Sequence, residues 1–145
     1  TYKQGGQEYT VTALATSNAQ GKVTFRKAKN AKKVTVPATV KLADGKKYKV
    51  TAIGAKAFKA KKIRTVTIGS NVSKIKKYAF KSSKAVKLIV KTKKLTKSGV
   101  KGSLKGSKVK KIRIKVGKRS QNKKYIKKYR KIFTKKNAGK RVTLL

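Results

Sequence analysis

The chain of 145 residues has no cysteine and no histidine, and its only carboxylate side chains are Glu8 and Asp44. Without cysteine there is no disulfide and no thiolate chemistry, and the redox compartment is only weakly bounded. Without histidine a Ser–His–Asp or Cys–His arrangement is impossible, and zinc and calcium sites lack their ligands. Nothing suggests that the two carboxylates meet as a glycosidase pair. We therefore expect a protein that is not an enzyme and needs no cofactor.

Proline and long apolar stretches are also scarce. A single Pro and 11 Gly argue against a low-complexity linker. No stretch approaches the roughly 18 consecutive apolar residues of a membrane-spanning helix. No signal peptide is visible and the first residue is Thr1 rather than Met, so we expect a mature or excised product.

Acidic charge is nearly absent, whereas basic charge is abundant. The chain carries 45 Lys and Arg, for a net charge of +43. Such a charge normally indicates nucleic acid, an anionic membrane or an acidic polymer as partner. The alternative is a compositional habit in which lysine fills solvent-exposed positions. The sequence "GSLKGSK" at residues 102–108 resembles a phosphate-binding loop only superficially, because the GxxxxGKS/T spacing is missing.

The chain contains an internal repeat. The segment that begins at Ile53 recurs 22 residues later, and a third copy follows after a further 24 residues. Ala57-Phe58 aligns with Ala79-Phe80, and Leu104 takes the phenylalanine place in the third copy. Lysine fills most of the positions that differ.

Each copy contains a predicted strand, as does the segment ahead of the first copy, because apolar and polar residues alternate there as in a sheet with one solvated face. A unit of this size cannot bury its own apolar face, and stacking consecutive units buries a continuous core. The predicted core consists of Val34, Val36, Ile53, Phe58, Val66, Ile68, Ile75, Phe80, Leu88, Val90, Ile112 and Ile114.

The pattern V-x-x-I-G-x-x-A-F followed by I-x-x-V-x-I-G/P, over roughly residues 33–116, resembles the BspA-type leucine-rich repeats of bacterial surface proteins. Residues 34–58 look like the segment that begins such arrays, with a hairpin at Asp44-Gly45 between the first strand and the first full repeat. The resemblance implies a leucine-rich-repeat-like solenoid, in which short β-strands stack into a sheet. It also implies adhesion or binding by a secreted or cell-surface protein.

Repeat arrays need covering elements at their ends. Residues 8–28 read as two strands around "SNAQG", so we expect residues 1–32 to form an N-terminal β-hairpin cap on the Val34/Val36 strand. Residues 33–116 are the expected solenoid, and residues 117–145 are expected to form a C-terminal cap helix and a last strand, "RVTLL". All three parts are expected to belong to one domain.

The helix near the C-terminus is predicted to begin at Ser120 as N-cap and to end between Asn137 and Gly139. Its predicted location is a cap on the last repeat. The alternative is a membrane-surface or calmodulin-type binding helix, which a basic amphipathic sequence also fits. The apolar stripe on this helix consists of Tyr125, Ile126, Tyr129, Ile132 and Phe133.

Residues that alternate with the strand core form an open, basic face. The expected function is non-enzymatic binding or adhesion, with an anionic polymer or a host surface glycan or protein as partner. The alternative is an intracellular protein that binds the phosphate backbone of nucleic acid without sequence specificity. The scarcity of Arg and the burial of the aromatics weigh against it, although nonspecific DNA binding in vitro follows from the charge alone. The candidate binding residues are Lys33, Lys87, Lys91, Lys111, Arg113 and Lys115.

Overall fold

The computed structural model describes residues 1–145 and contains eleven short strands, two α-helices and one 3-10 turn. In chain order these elements are β1 (Tyr2–Gln4), β2 (Gln7–Ala13), β3 (Gly21–Lys27), β4 (Lys33–Val36), β5 (Thr39–Lys41), β6 (Lys47–Ile53), β7 (Thr65–Ile68), β8 (Lys74–Ile75), β9 (Lys87–Val90), the 3-10 turn Ser98–Val100, β10 (Lys111–Ile114), α1 (Arg119–Arg130), α2 (Lys135–Ala138) and β11 (Thr143–Leu144).

One sheet collects the strands of the repeats. Its order is β11-β10-β9-β7-β4, and every neighbouring pair is parallel. The strands pair in register, so Val34, Val66, Leu88 and Ile112 lie side by side, as do the residues two positions later. All eight side chains are buried. Because successive side chains of a strand point to opposite faces, the residues between them face solvent.

The second sheet has the order β1-β2-β3-β6-β5, with β8 paired to the end of β6. Strands β2 and β3 form an antiparallel hairpin, and β5 and β6 form another around Asp44-Gly45, where Gly45 has φ +76°. We expected the first hairpin to pack on β4, but its backbone pairing is with β6. The longer β6 offers an edge in a register that sets Phe25 beside Ile53. The Gln7 amide reaches β4 by donating to Thr35 O at 3.2 Å.

Aromatic rings form a column through the core. Phe58 and Phe80 occupy equivalent places in successive repeats, are fully buried, and stack with centroids 4.6 Å apart and an interplanar angle of 11°. Phe25 stacks on the other side of Phe58 at 5.5 Å, and Tyr9 meets Phe25 edge to face. The repeat pattern does not predict Phe25, because Thr24 rather than alanine precedes it. Leu104 is buried in the third copy.

The turns of successive repeats are hydrogen-bonded to one another. Lys56 N donates to Tyr78 O at 2.8 Å, Tyr78 N to Gly102 O at 3.1 Å, and Gly102 N to Asn137 O at 2.8 Å. Lys56, Tyr78 and Gly102 all have positive φ, at 56°, 65° and 69°. A left-handed residue is strained when it is not glycine, so the stacked turns hold Lys56 and Tyr78 in a conformation that these residues do not favour alone.

Helix α1 begins differently from the prediction. Ser120 lies inside the helix, and the N-cap is Lys118, which makes no side-chain capping bond. Ser120 as N-cap is therefore wrong. The side chain of Asn122 fixes the segment that leads into α1 instead. Its Oδ1 accepts from Val116 N at 2.8 Å and from Gly117 N at 3.1 Å.

The helical region is also interrupted, which corrects the prediction of one helix ending near Gly139. Helix α1 ends at Arg130, and Thr134 begins α2 by accepting from Asn137 N at 3.1 Å. Gly139, in the left-handed conformation, ends α2 rather than α1. The break lets Asn137 reach the turn at Gly102, which a straight helix would carry away from it. Neither helix has the length and apolar character needed to cross a membrane.

The apolar side of α1 faces the protein. Tyr129, Ile132 and Phe133 are buried, and the half-buried Tyr125 and Ile126 pack against the same core. Beyond α2, strand β11 pairs with β10 in register. Together the stacked strands, turns and rings give the molecule a repeat-type fold with a single continuous core.

Candidate binding surface

The solvent-facing side of the parallel sheet carries rows of side chains that cross the repeats. The strand register sets two of these rows. The first consists of Lys33, Thr65, Lys87, Lys111 and Thr143, and the second of Thr35, Thr67, Ile89 and Arg113. Lys91 and Lys115 follow the ends of β9 and β10, where their N–H groups donate to the preceding repeat, at Ile68 O and Val90 O.

The structure brings five of the six candidate residues together and leaves one apart. Lys87 and Lys111 are direct partners on β9 and β10, so their backbones lie about 4.8 Å apart. Arg113, Lys91 and Lys115 belong to the same two repeats. Lys33 lies at the other edge, separated from Lys87 by β7, or about 10 Å of sheet. The cationic part of the face is therefore its C-terminal side.

Helix α1 extends this basic area. Arg119 and Lys123 line a hollow of about 370 Å³ together with Arg113 and Lys115. The sequence did not group these two residues with the strand cations, because no local pattern shows that the helix lies beside β10. Their spacing of four residues, which places them on one side of a helix, could have revealed the cationic side.

Glu8 lies away from this surface and forms ion pairs with two neighbouring cations. Its Oε1 is 3.5 Å from Arg26 Nη1, and its Oε2 is 3.9 Å from Lys27 Nζ. These cations are exposed, so the pairs contribute little to stability. They do partly neutralise the basic charge around β2 and β3.

Asp44 forms its hydrogen bonds within the hairpin turn that contains it. Its Oδ2 accepts from the Tyr48 hydroxyl at 2.6 Å, and its Oδ1 accepts from Lys46 N at 2.9 Å. The hydrogen bond from Tyr48, followed by the one from Lys46 N, lowers the pKa of Asp44 below its ordinary value. Both carboxylates thus interact with groups in their own part of the chain, and Asp44 stabilises its hairpin turn.

The side chains of the open face are mainly hydrogen-bond donors. Lysine ammonium groups and threonine hydroxyls are hydrogen-bond donors for phosphate, sulfate or carboxylate oxygens. No carboxylate side chain lies in its rows, so the positive potential is not cancelled within the face. Such a face attracts anionic groups.

In-register parallel strands, stacked turns and a shared core define a protein of the leucine-rich-repeat class. The family model described as BspA type leucine rich repeat region (6 copies) matches residues 10–120 and, in a second match, residues 51–140. The chain therefore belongs to the BspA-type leucine-rich repeat family, which confirms the predicted resemblance. This family is typical of bacterial surface or secreted proteins, and its repeats are protein-binding modules that are generally not enzymes. No match was found among curated proteins, and none among solved structures.

Proposed function

We propose that this chain is a non-enzymatic adhesion module of a secreted or surface-attached bacterial protein. Its basic open face binds anionic polymers or anionic host surface glycans and proteins. The observation that carries the proposal is the pairing of cations across β9 and β10, Lys87 beside Lys111, on a face without carboxylates. Long-range attraction from such a face raises the rate of encounter with an anionic partner.

The proposed architecture is a solenoid of residues 33–116 with both ends covered, within one domain. At the N-terminal end, residues 1–32 act as a hairpin cap; the stacking of Phe25 on Phe58 supports this role. At the C-terminal end, residues 117–145 act as a helix-and-strand cap. The burial of Tyr129 and Phe133, together with the addition of β11 to β10, supports that role.

Binding of three anionic polymers tests the function. Affinities for heparin, polyglutamate and a short DNA duplex are measured by calorimetry at matched ionic strength, with the unchanged chain and two variants. The open-face variant carries Lys87→Gln, Lys111→Gln and Lys115→Gln. The control carries Lys124→Gln, Lys127→Gln and Lys131→Gln, which remove the same charge from exposed positions on and just after α1.

We expect the open-face variant to lose about tenfold or more in affinity for heparin or polyglutamate, and the control less than about twofold. The expected loss reflects charge-assisted hydrogen bonds, which are stronger than neutral ones. Equal losses in both variants would show a nonspecific basic coat and contradict the proposal. DNA as the tightest ligand, with the same dependence on the open face, would favour the nucleic-acid alternative.

The surface location has its own test. An export signal in the full-length gene product, with the chain recovered in the envelope or medium fraction, is the expected result. Recovery in the cytoplasmic fraction alone would exclude the proposed location and leave the binding measurement intact.

A further inference from the structure

A second cluster of lysines surrounds a hollow on the turns of the repeats. The hollow has a volume of about 520 Å³ and shares no residue with the open face. It lies where the turns at Lys77 and Gly102 meet α2, along the hydrogen bonds that link Tyr78, Gly102 and Asn137. The lysines that line it are Lys77, Lys101, Lys105, Lys135 and Lys136.

Two glycines leave room for lysines of this cluster to approach the backbone closely. A Cβ at Gly102 would lie 2.8 Å from Lys77 Cγ, so the absence of a side chain there leaves room for the stem of Lys77. A Cβ at Gly139 would lie 2.7 Å from Lys105 Cβ. Both glycines have positive φ, which disfavours other residues. The two glycines therefore allow the segments that carry Lys77 and Lys105 to lie close to the turn and to the end of α2, beside the hollow.

Tyr78 gathers ammonium groups at the side of the hollow. The Nζ atoms of Lys77, Lys81 and Lys105 lie 5.0, 4.9 and 5.9 Å from its ring centroid. The negative face of an aromatic ring attracts cations, so Tyr78 helps to keep like charges near one another. Three ammonium groups around one ring still repel each other, and an anion among them would relieve that repulsion.

A second hollow, lined by Glu8, provides the contrast. That hollow also contains Arg26, Lys27, Lys56 and Lys59, but the Glu8 carboxylate lies beside its cations. The hollow at Gly102 has no carboxylate among its lining residues. The two are similar in volume, about 540 and 520 Å³, and one difference between them is the carboxylate.

We propose that the hollow at Gly102 is a binding site for a compact oligophosphate, a ligand with several phosphate groups on adjacent positions. Five lysine side chains border one hollow, and their flexible stems can turn the ammonium groups toward a ligand that concentrates a similar number of negative charges in a small volume. Lysine is a common ligand of phosphate as a point charge. A long, flat polymer is a poorer fit, because the lysines converge on a hollow. The sequence "GSLKGSK" supplies Gly102 and Lys105, although its spacing is not that of a phosphate-binding loop.

The site is tested with inorganic tripolyphosphate as probe and calorimetry at physiological ionic strength. The site variant carries Lys77→Gln, Lys105→Gln and Lys136→Gln. The matched control is the variant Lys124→Gln, Lys127→Gln and Lys131→Gln, which removes the same charge from exposed positions outside both surfaces. Melting curves without ligand verify that both variants fold. Because the two sites share no residue, failure of this proposal and failure of the adhesion proposal are distinguishable.

We expect one tripolyphosphate per chain, about tenfold or more weaker binding in the site variant, and less than about twofold change in the control. Orthophosphate should bind far more weakly. Equal losses in both variants, or no one-to-one binding, would overturn the proposal. Tighter binding of a single-stranded oligonucleotide with the same number of phosphates would also overturn it, in favour of nucleic acid.

Lysine acetylation of the unchanged chain gives a second measurement that needs no variant. Tripolyphosphate should protect Lys77, Lys105 and Lys136 from an acetylating reagent while Lys124 and Lys127 on α1 react as before. Uniform protection of all five lysines would overturn the proposal.

Discussion

The middle repeats and the last repeat follow the same backbone path but fill it with different side chains. In the middle, Phe58 and Phe80 stack ring on ring. In the last repeat Leu104 takes their place, yet the hydrogen bonds between turns continue from Gly102 to Asn137. Backbone stacking across turns thus continues past the end of the aromatic column, and the inward position accepts an apolar side chain other than phenylalanine.

The two ends also differ in charge. Both carboxylate side chains, Glu8 and Asp44, lie in the first third of the chain, and none follows Asp44. The paired Lys87 and Lys111 and the lysine hollow at Gly102 both belong to the part without carboxylates. Cations that have no carboxylate side chain nearby are therefore concentrated in the part of the chain that follows Asp44.

Removal of residues 118–145 is expected to have the largest effect on stability. The deletion removes the buried side chains of Tyr129, Ile132, Phe133 and Leu144 and exposes the edge of β10 that pairs with β11. We expect loss of a cooperative thermal transition, or aggregation, because a large apolar surface opens to water. Calorimetry and light scattering measure this. A shortened chain that melts as sharply as the parent would mean that α1 is a detachable helix.

The next largest effect on stability is expected from truncation of a side chain in the aromatic column. The same truncation in the last repeat provides the comparison. Phe58 lies between Phe25 and Phe80, so Phe58→Ala removes two ring contacts as well as buried volume. We expect a loss of about 3–5 kcal/mol in the free energy of unfolding, against about 2–5 kcal/mol for Leu104→Ala. Denaturant titration gives both values. A larger loss at Leu104 would mean that the column is not the main support of the core.

Local periodicity explains what was predictable from the sequence. The alternation in β7, β9 and β10 determines which residues face the core and which form the open face, because a strand has a period of two. Pairing between distant segments is not encoded locally. The choice of β6 rather than β4 by the hairpin, and hence the position of Phe25, depends on contacts between segments that are distant in the chain.

The same limit applies near the C-terminus and at the candidate sites. Ser120 has a good N-cap side chain, but the carboxamide of Asn122 reaches back to Val116 and determines where α1 begins. Arg119 and Lys123 join the open face only because α1 lies beside β10. The hollow at Gly102 forms where α2 meets two turns, so the lysines that line it could not be grouped from sequence.

Tyr129→Phe tests how α1 is attached to the last full repeat. The Tyr129 hydroxyl donates to Thr92 O at 2.7 Å and accepts from Leu95 N at 3.4 Å, all within the core. Its removal leaves the Thr92 carbonyl without this partner, so we expect a loss of about 1–2 kcal/mol. Denaturant titration at neutral pH measures it, with Tyr125→Phe on the half-buried neighbour as control. A loss no greater than that of the control would contradict the anchoring role.

The same variant has a defined pH dependence. Burial raises the pKa of Tyr129 from 10 to about 12. A pKa raised in the folded state stabilises the protein fully below the unfolded value, and that contribution is lost as the pH rises from about 10 to about 12. The stability difference between the parent and Tyr129→Phe should therefore shrink over this range. Lysine deprotonation also changes stability there, but it affects both chains alike.

Ser103→Ala is expected to have the smallest effect and a favourable one. Ser103 occupies the place of Ala57 and Ala79, is fully buried, and its hydroxyl has no hydrogen-bond partner. An unsatisfied buried hydroxyl is unfavourable, so alanine should raise the free energy of unfolding by about 1 kcal/mol and the melting temperature by about 2–4 °C. The reverse change, Ala79→Ser, should destabilise by a similar amount. If Ser103→Ala instead lowers the melting temperature, the last repeat uses this hydroxyl, and its difference from the middle repeats goes beyond a change of apolar side chain.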